Sequence, residues 1–208
     1  NGNIVDKWLW YKLPIFNKVK KSLNKEQAIS GVTDHLRQAV HRQMVADVPL
    51  GAFLSGGLDS SAVVAFAKEV NPDIRCFSIE TKGKQDRGVV DDLPYAKRVA
   101  KHLNVSLDVV SIESYRMASD LESMIAQLDE PLADPAALNV LYISQLAREQ
   151  GIKVLLSGAG GDDLFTGYRR HYALQLERYW GCLPKNVRTS LESITRNLNT
   201  ENFINRRI

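Results

Sequence analysis

The chain has 208 residues, 44% hydrophobic and 25% charged, which is enough apolar material for one ordinary globular core. Its net charge of +3 gathers at the two ends, around Lys18, Lys20 and Lys21 and around Arg206 and Arg207, too mild a bias to argue for a nucleic-acid surface. No run approaches the roughly 20 apolar residues that cross a bilayer, and the N-terminus has no signal-peptide core. Cys76 and Cys182 form neither a disulfide framework nor a zinc spacing, which fits a soluble protein of a reducing cytosol.

In chain order, residues 1–23 place Trp8, Trp10, Tyr11 and Pro14 among lysines without a sustained period, and read as a linker whose aromatics pack on something. A helix is signalled from Asn24, with Gln27 three residues on and Ile29, Val32, Leu36, Val40 and Met44 on one face. The short apolar run Val48 to Leu54 ends in Ser-Gly-Gly, the pattern of a buried parallel strand entering a tight turn, and a helix follows from Asp59 to Val70. Ile74 to Glu80, with Cys76 inside it, is a second buried strand, followed by a polar loop containing Gly83 and Gly88.

A helix then begins near Asp92, with Pro94 in its first turn, and ends near Asn104; Ser106 to Ile112 is the third strand. Helices are expected over Ser114 to Leu128 and Pro135 to Gln150, the second capped by Asp134 and stopped by Gly151. Lys153 to Leu156 is the last strand, and it runs into a second glycine-rich turn, Ser157 to Gly161. Beyond Arg169 the chain reads as polar helix broken by Pro184. Strands alternating with helices imply a doubly wound α/β domain, a parallel sheet with flanking helices and right-handed crossovers.

The chemistry is carried by Ser55, Gly56, Gly57, Leu58, Asp59, Ser60 and Ser61, between a buried strand and a helix. In an open parallel sheet, ligands bind beyond the carboxyl ends of the strands, where a helix N-terminus offers unpaired N–H groups and a partial positive charge. Glycines let the backbone approach an anion, and the serine hydroxyls add donors, so this turn is a phosphate cradle. It is not a Walker A loop, because no Gly-Lys-Ser/Thr follows the glycines. Asp59 at the mouth of an anion site makes sense if a cation accompanies the phosphates. Magnesium takes one or two carboxylates plus phosphate oxygens, so a second acid should converge there. The second turn supplies Asp162 and Asp163, and Asp59 with Asp162 can then share one magnesium on a triphosphate.

Val48 to Ser61 resembles the PP-loop of the asparagine synthetase B family, approach strand included. Phe77-Ser78-Ile79, the helix from Asp91-Asp92 to Leu103, the stretch Asp129-Glu130-Pro131-Leu132-Ala133-Asp134-Pro135, and Leu155 to Tyr168 follow in the family's order, so the resemblance runs from about Val32 to Arg170. It implies a PP-loop ATP-pyrophosphatase fold and a cytoplasmic, ATP-dependent ligase that adenylates a carboxylate, aspartate or an analogue. Pyrophosphate is released, and ammonia, made from glutamine by an N-terminal glutaminase domain, displaces AMP. By the same resemblance Asp59 and Asp162 hold magnesium, Ser55, Gly56, Gly57, Ser60 and Ser61 hold pyrophosphate, and Leu54, Ser78, Ile79, Ser157 and Gly158 line the adenosine site. Residues 1–23 are then a linker from the glutaminase domain, 24–175 the synthetase domain and 176–208 a truncated helical part, with a homodimer compatible with the full-length protein.

Ala159 departs from the family, whose asparagine-forming members carry an acidic residue in that slot. Alanine neither accepts a proton nor orients ammonia. That leaves the acceptor open between aspartate and other carboxylates, such as a surface-polysaccharide sugar acid or a β-lactam precursor, with Asp163, or Asp129 and Glu130, as candidates to supply the carboxylate. Two rival functions are a PP-loop enzyme acting on tRNA, against which the sequence offers neither a basic face nor cysteine pairs, and a non-catalytic nucleotide-binding relative. The plainer reading of Ser55 to Ser61 is a capped helix turn, and of Asp162 a first-turn acid on a helix dipole. For Asp129 and Glu130 it is the end of a loop before Pro131. His35, His41 and His102 have no metal-ligand spacing, and His171, after Arg169 and Arg170, is read as structural.

Overall fold

A computed structural model describes residues 4–12, 23–82, 91–130, 132, 134, 136–165, 167–181, 183–184 and 186–190. The expected loop at Gly83 and Gly88, along with Pro14, the lysines at 18–21, Pro131, Ala133, Pro135, Cys182 and the tail from 191, lies outside the described residues. The chain separates into two compact units, Asn1–Leu36 and Arg37–Ile208.

In the first unit the capping box forms as the sequence dictates. Asn24 Oδ1 accepts the Gln27 N–H at 2.8 Å, and Gln27 Oε1 accepts the Asn24 N–H at 3.2 Å, starting α1 (Lys25–Gln43). The apolar stripe of α1 is not buried along its length: Ile29 and Val32 are exposed, while Val40, in the second unit, is in the core. Trp8, Trp10 and Tyr11 are also exposed, which corrects the expectation that they pack. Residues 4–12 form no helix or strand, so that segment has no regular apolar face to close over them.

The second unit is built on a four-stranded parallel sheet of β1 (Leu50–Phe53), β2 (Arg75–Lys82), β3 (Ser106–Glu113) and β4 (Val154–Leu156), in the order β3-β2-β1-β4. The connecting helices are α2 (Leu58–Val70), α3 (Leu93–Leu103), α4 (Ser114–Ile125) and α5 (Ala136–Glu149). All three pairings are parallel, and by the right-handed crossover rule this strand order would put α2 and α3 on one face and the α4–α5 return on the other, the doubly wound arrangement. Two segments follow, α6 (Gly161–Phe165) and α7 (Arg169–Trp180), so residues 169–180 are helical as expected.

The punctuation is largely what the residues dictate. Asp134 Oδ1 accepts the Ala136 N–H at 2.9 Å at the start of α5, and Gly151, at φ +80°, ends it. Asn104 adopts φ +50° after α3, a left-handed conformation asparagine tolerates better than most residues. Between α5 and the sheet, Phe77, Ile143, Ala147 and Ile152 form one buried cluster, and Ile112, Met124, Leu138 and Tyr142 a second, with Ile79 and Val110 packed against both.

Cys76 is fully buried in β2, and this burial, reinforced by the negative charge of Asp108, pushes its thiol up to about 12. Such a value leaves roughly one thiol in ten thousand ionised at pH 8, and the thiolate is the nucleophile. Cys76 is therefore expected to stay unmodified by iodoacetamide at pH 8 in the native protein and to react fully in urea, as read by peptide mass mapping. Rapid native labelling at Cys76 would contradict the placement of β2.

Candidate active site at the reversal of strand order

The strand order reverses between β1 and β4, because β2 and β3 are laid down on one side of β1 and β4 on the other. Such a reversal opens a crevice at the carboxyl ends of the two strands, since their outgoing connections leave towards opposite faces. β1 and β4 pair in parallel with Leu50 opposite Val154, Gly51 opposite Leu155 and Ala52 opposite Leu156. Both glycine-rich turns therefore emerge at the same level.

Glycines let the two turns touch. A Cβ on Gly158 would lie 2.7 Å from the Ser60 nitrogen and 2.8 Å from the Asp59 carbonyl carbon. One on Gly161 would collide with the Asp59 carboxylate, and one on Gly167 with the Asp162 carboxylate. Gly56, at φ +82°, lies against Tyr95 and Ala96 at the start of α3, where any Cβ would collide with backbone. The same region of α3 holds Asp92, whose carboxyl is raised above its ordinary value by burial and then by Asp91, and Asp91 Oδ1 accepts the Leu93 N–H at 3.0 Å.

A cavity of about 510 Å³ opens between the turns. It brings together Ser55, Gly57, Asp59 and Ser60 of the first turn with Ser157, Gly158 and Asp162 of the second, all expected from the sequence. Asp59 and Asp162 both line it, each in the first turn of its helix. The hydroxyls are tied within the loop. Ser60 Oγ–H donates to the Gly57 carbonyl at 3.2 Å, so the 3.0 Å contact between Ser55 and Ser60 is a donation from Ser55, which in turn accepts the Gly57 N–H at 3.3 Å. Ser157 Oγ accepts the Ala159 N–H at 3.1 Å. Gly57 is the N-cap of α2, with no side chain capping it. The plain capped-turn reading thus differs from what is seen: the helix presents its N-terminal N–H groups uncapped beside the cavity.

The other expected residues lie outside the lining. Ser61 Oγ–H turns back to the Gly57 carbonyl at 2.6 Å, and Gly56 faces α3. Leu54 is buried and donates its N–H to Phe77 O at 2.9 Å; Ser78 is buried in β2, and the Ile79 side chain packs in the core. From these positions Leu54 and Ile79 have backbone rather than side chain to offer a ligand. Asp129, Glu130 and Asp163 do not line the cavity either. Four lining residues were not anticipated: Phe53, Val140, Phe165 and Gly167. Phe53 was findable as the last residue of a strand entering the loop, and Phe165 as the end of the short helix that carries Asp162, but Val140 arrives from a helix that only the tertiary fold brings to the crevice.

Two glycines separate close approach from mere flexibility. Gly158→Ala should destabilise by about 1–3 kcal/mol through backbone overlap, whereas Gly31→Ala, where nothing lies within 4 Å of the new Cβ, should stabilise α1 by about 0.5–1 kcal/mol. Urea midpoints of the two variants should shift in opposite directions; a Gly158→Ala midpoint at or above that of the parent would show that the turns do not touch.

The sequence profile of the asparagine synthase family matches residues 31–207. Among curated proteins, the chain is 36% identical over 146 residues to asparagine synthetase [glutamine-hydrolyzing] 1 of Bacillus subtilis (strain 168), covering 69% of this chain and 22% of that protein. It is 34% identical over 190 residues to a putative asparagine synthetase [glutamine-hydrolyzing] 2 of Methanocaldococcus jannaschii, covering 88% and 34%. A third relative bears a different name, amidase chyE of Penicillium rubens, at 30% identity over 159 residues, covering 70% and 23%. The chain thus spans between 22% and 34% of the length of these relatives. With the family profile matched across nearly all of its second unit, this chain belongs to the asparagine synthase family.

Proposed function

We propose that the chain is the ATP-using part of an amide-forming ligase, and the observation that carries this is the meeting of Asp59 and Asp162 in one cavity at the strand reversal. The donor set suits magnesium. It consists of two hard carboxylate oxygen ligands, with room left for phosphate oxygens and water. Among the described residues no group of three or more His, Cys, Asp or Glu is placed to hold a metal, which suits a cation that arrives with a nucleotide rather than a resident one. Asp59 and Asp162 would hold it, and when bound it neutralises charge on the phosphates.

In this reading the uncapped start of α2, with Ser55 and Ser60, receives the pyrophosphate end of ATP, where N–H groups and the helix dipole favour anions. An oxygen of the acceptor carboxylate attacks the α-phosphorus; the bond from that phosphorus to the bridging oxygen breaks, and pyrophosphate leaves. Ammonia then attacks the acyl carbon, the carbon–oxygen bond to AMP breaks, and one proton is lost to give the amide. The uncapped helix end is preorganised for the leaving group, so its N–H groups need little rearrangement as charge develops there. The ammonia would come from glutamine, in keeping with the two relatives named as glutamine-hydrolysing. Asp163, or Asp129 with Glu130, would act on the incoming nitrogen from outside the cavity lining. No described helix is long and apolar enough to cross a membrane.

Asp59→Asn and Asp162→Asn, made in the full-length protein, should each lower acid-dependent ATP–pyrophosphate exchange by about a hundredfold or more, with the circular dichroism spectrum unchanged. Release of ADP and phosphate, or full exchange in both variants, would overturn the ligase reading.

A further inference from the structure

The strands of the sheet end at different heights. β1 stops at Phe53, opposite Phe77, and the Leu54 N–H donates to the Phe77 carbonyl at 2.9 Å before the chain turns away. β2 runs on to Lys82, paired with β3 from Ser78 opposite Val109 to Lys82 opposite Glu113. The upper parts of β2 and β3 therefore stand beside the first glycine-rich turn, across β1 from the cavity that this turn shares with the β4 turn.

Glu80 lies on this extension and is partly buried. Its partner directly opposite on β3 is Ser111, whose hydroxyl donates to Glu80 Oε2 at 2.6 Å. Ile79 and Val110 pack towards α5, and side chains alternate along a strand, so Glu80 and Ser111 point to the other face. The crossover rule puts α2 and α3 on that face, and the first turn leans the same way, with Gly56 against Tyr95 and Ala96 at the start of α3. A carboxylate held by a hydroxyl on the next strand is a directed acceptor rather than a swinging one.

Strand spacing decides what it would meet. Neighbouring strands lie ~5 Å apart, so a nucleotide anchored by its phosphates between the β1 and β4 turns, and laid across the end of β1, brings its base over β2. In a parallel ladder a residue turns its N–H and C=O to the same neighbour. The Phe77 carbonyl goes to β1, so Ile79, two residues on, turns its backbone to that side as well, and Glu80 follows it. At the sixth position of a purine, adenine carries an amino group, a donor that a carboxylate accepts. Guanine and hypoxanthine carry a carbonyl oxygen there, which sets acceptor against acceptor.

We infer that Glu80, held by Ser111, accepts a hydrogen bond from the 6-amino group of the nucleotide base and selects adenine over 6-oxopurines. This rests on the ligase reading and deepens it, adding a specificity-determining residue on β2 outside the cavity that takes the phosphates.

The test is isothermal titration calorimetry of the full-length protein, in magnesium, with ATP, ITP and purine riboside triphosphate, which has hydrogen in place of the 6-amino group. The parent should bind ATP at least about tenfold more tightly than purine riboside triphosphate. Glu80→Ala should weaken ATP by about tenfold and purine riboside triphosphate by less than about twofold, so that the two converge. Glu80→Gln keeps the shape and can donate to a 6-oxo group, and should bind ITP more tightly than the parent does. Equal weakening of ATP and purine riboside triphosphate in Glu80→Ala would mark a purely structural residue, and unchanged discrimination in both variants would place the base elsewhere. Either result overturns this inference and leaves the ligase reading standing. Binding of none of the three nucleotides by the parent would remove both.

Discussion

The parallel pairing of β1 with β4 holds together two loops that the sequence keeps apart by β2, α3, β3, α4 and α5. Its register is set low on the strands, where the Lys153 N–H donates to the Pro49 carbonyl at 3.3 Å, and continues through Ala52 opposite Leu156. The small residue Gly51 sits within this pairing, and a Cβ there would lie 2.9 Å from the Phe77 ring and 3.0 Å from Leu155. Close sheet packing below thus fixes how near the turns lie above. Shifting β4 by one residue would turn Leu155 to the opposite face and carry Asp162 away from Asp59, so core packing and site assembly select the same register.

Bringing two aspartates to one cavity works against folding, and the structure offsets this locally. Each acid lies in the first turn of a helix, where the positive end of the aligned peptide dipoles favours negative charge. The offset is larger for Asp59, because α2 runs from Leu58 to Val70 while α6 has five residues. The serine hydroxyls are spent on the loop's own backbone, which keeps the turn in shape but leaves the helix N–H groups uncapped. An anion carrying a divalent cation satisfies both halves of this arrangement at once, one through the N–H groups and the other through the carboxylates.

Much of the frame could be read in advance because its signals are local. The Asn24–Gln27 box, the Asp134 cap, the Gly151 stop and the two strand-to-glycine turns each depend on residues a few positions apart. The site was legible to the extent that it lies on those turns, hence Ser55, Asp59, Ser157 and Asp162. Periodicity was less informative where it implied burial. The stripe of α1 is regular from Ile29 to Val40, yet only its far end meets core, because a 3.6-residue period marks a face without saying what covers it. The place of Val140 in the lining was not legible. Val140 belongs to a helix whose other side chains, Leu138, Tyr142 and Ile143, are core, and nothing in its neighbours distinguishes the residue that turns to the crevice.

The two halves of the site are anchored unequally. β1 has a hydrogen-bonded neighbour on each side, whereas β4 is three residues long, pairs with β1 alone among the described strands, and has Val154 42% exposed. Two residues of pairing more or less therefore matter far more to the Asp162 turn than to the Asp59 turn. A ligand held by both aspartates would add a link across the weaker seam, and by linkage anything that binds the assembled crevice and not the separated loops strengthens the β1–β4 pairing by the same free energy it gains from it. The site and the edge of the sheet are in this sense one structural unit. The short strand positions the second carboxylate, and the charges brought to that carboxylate reinforce the short strand.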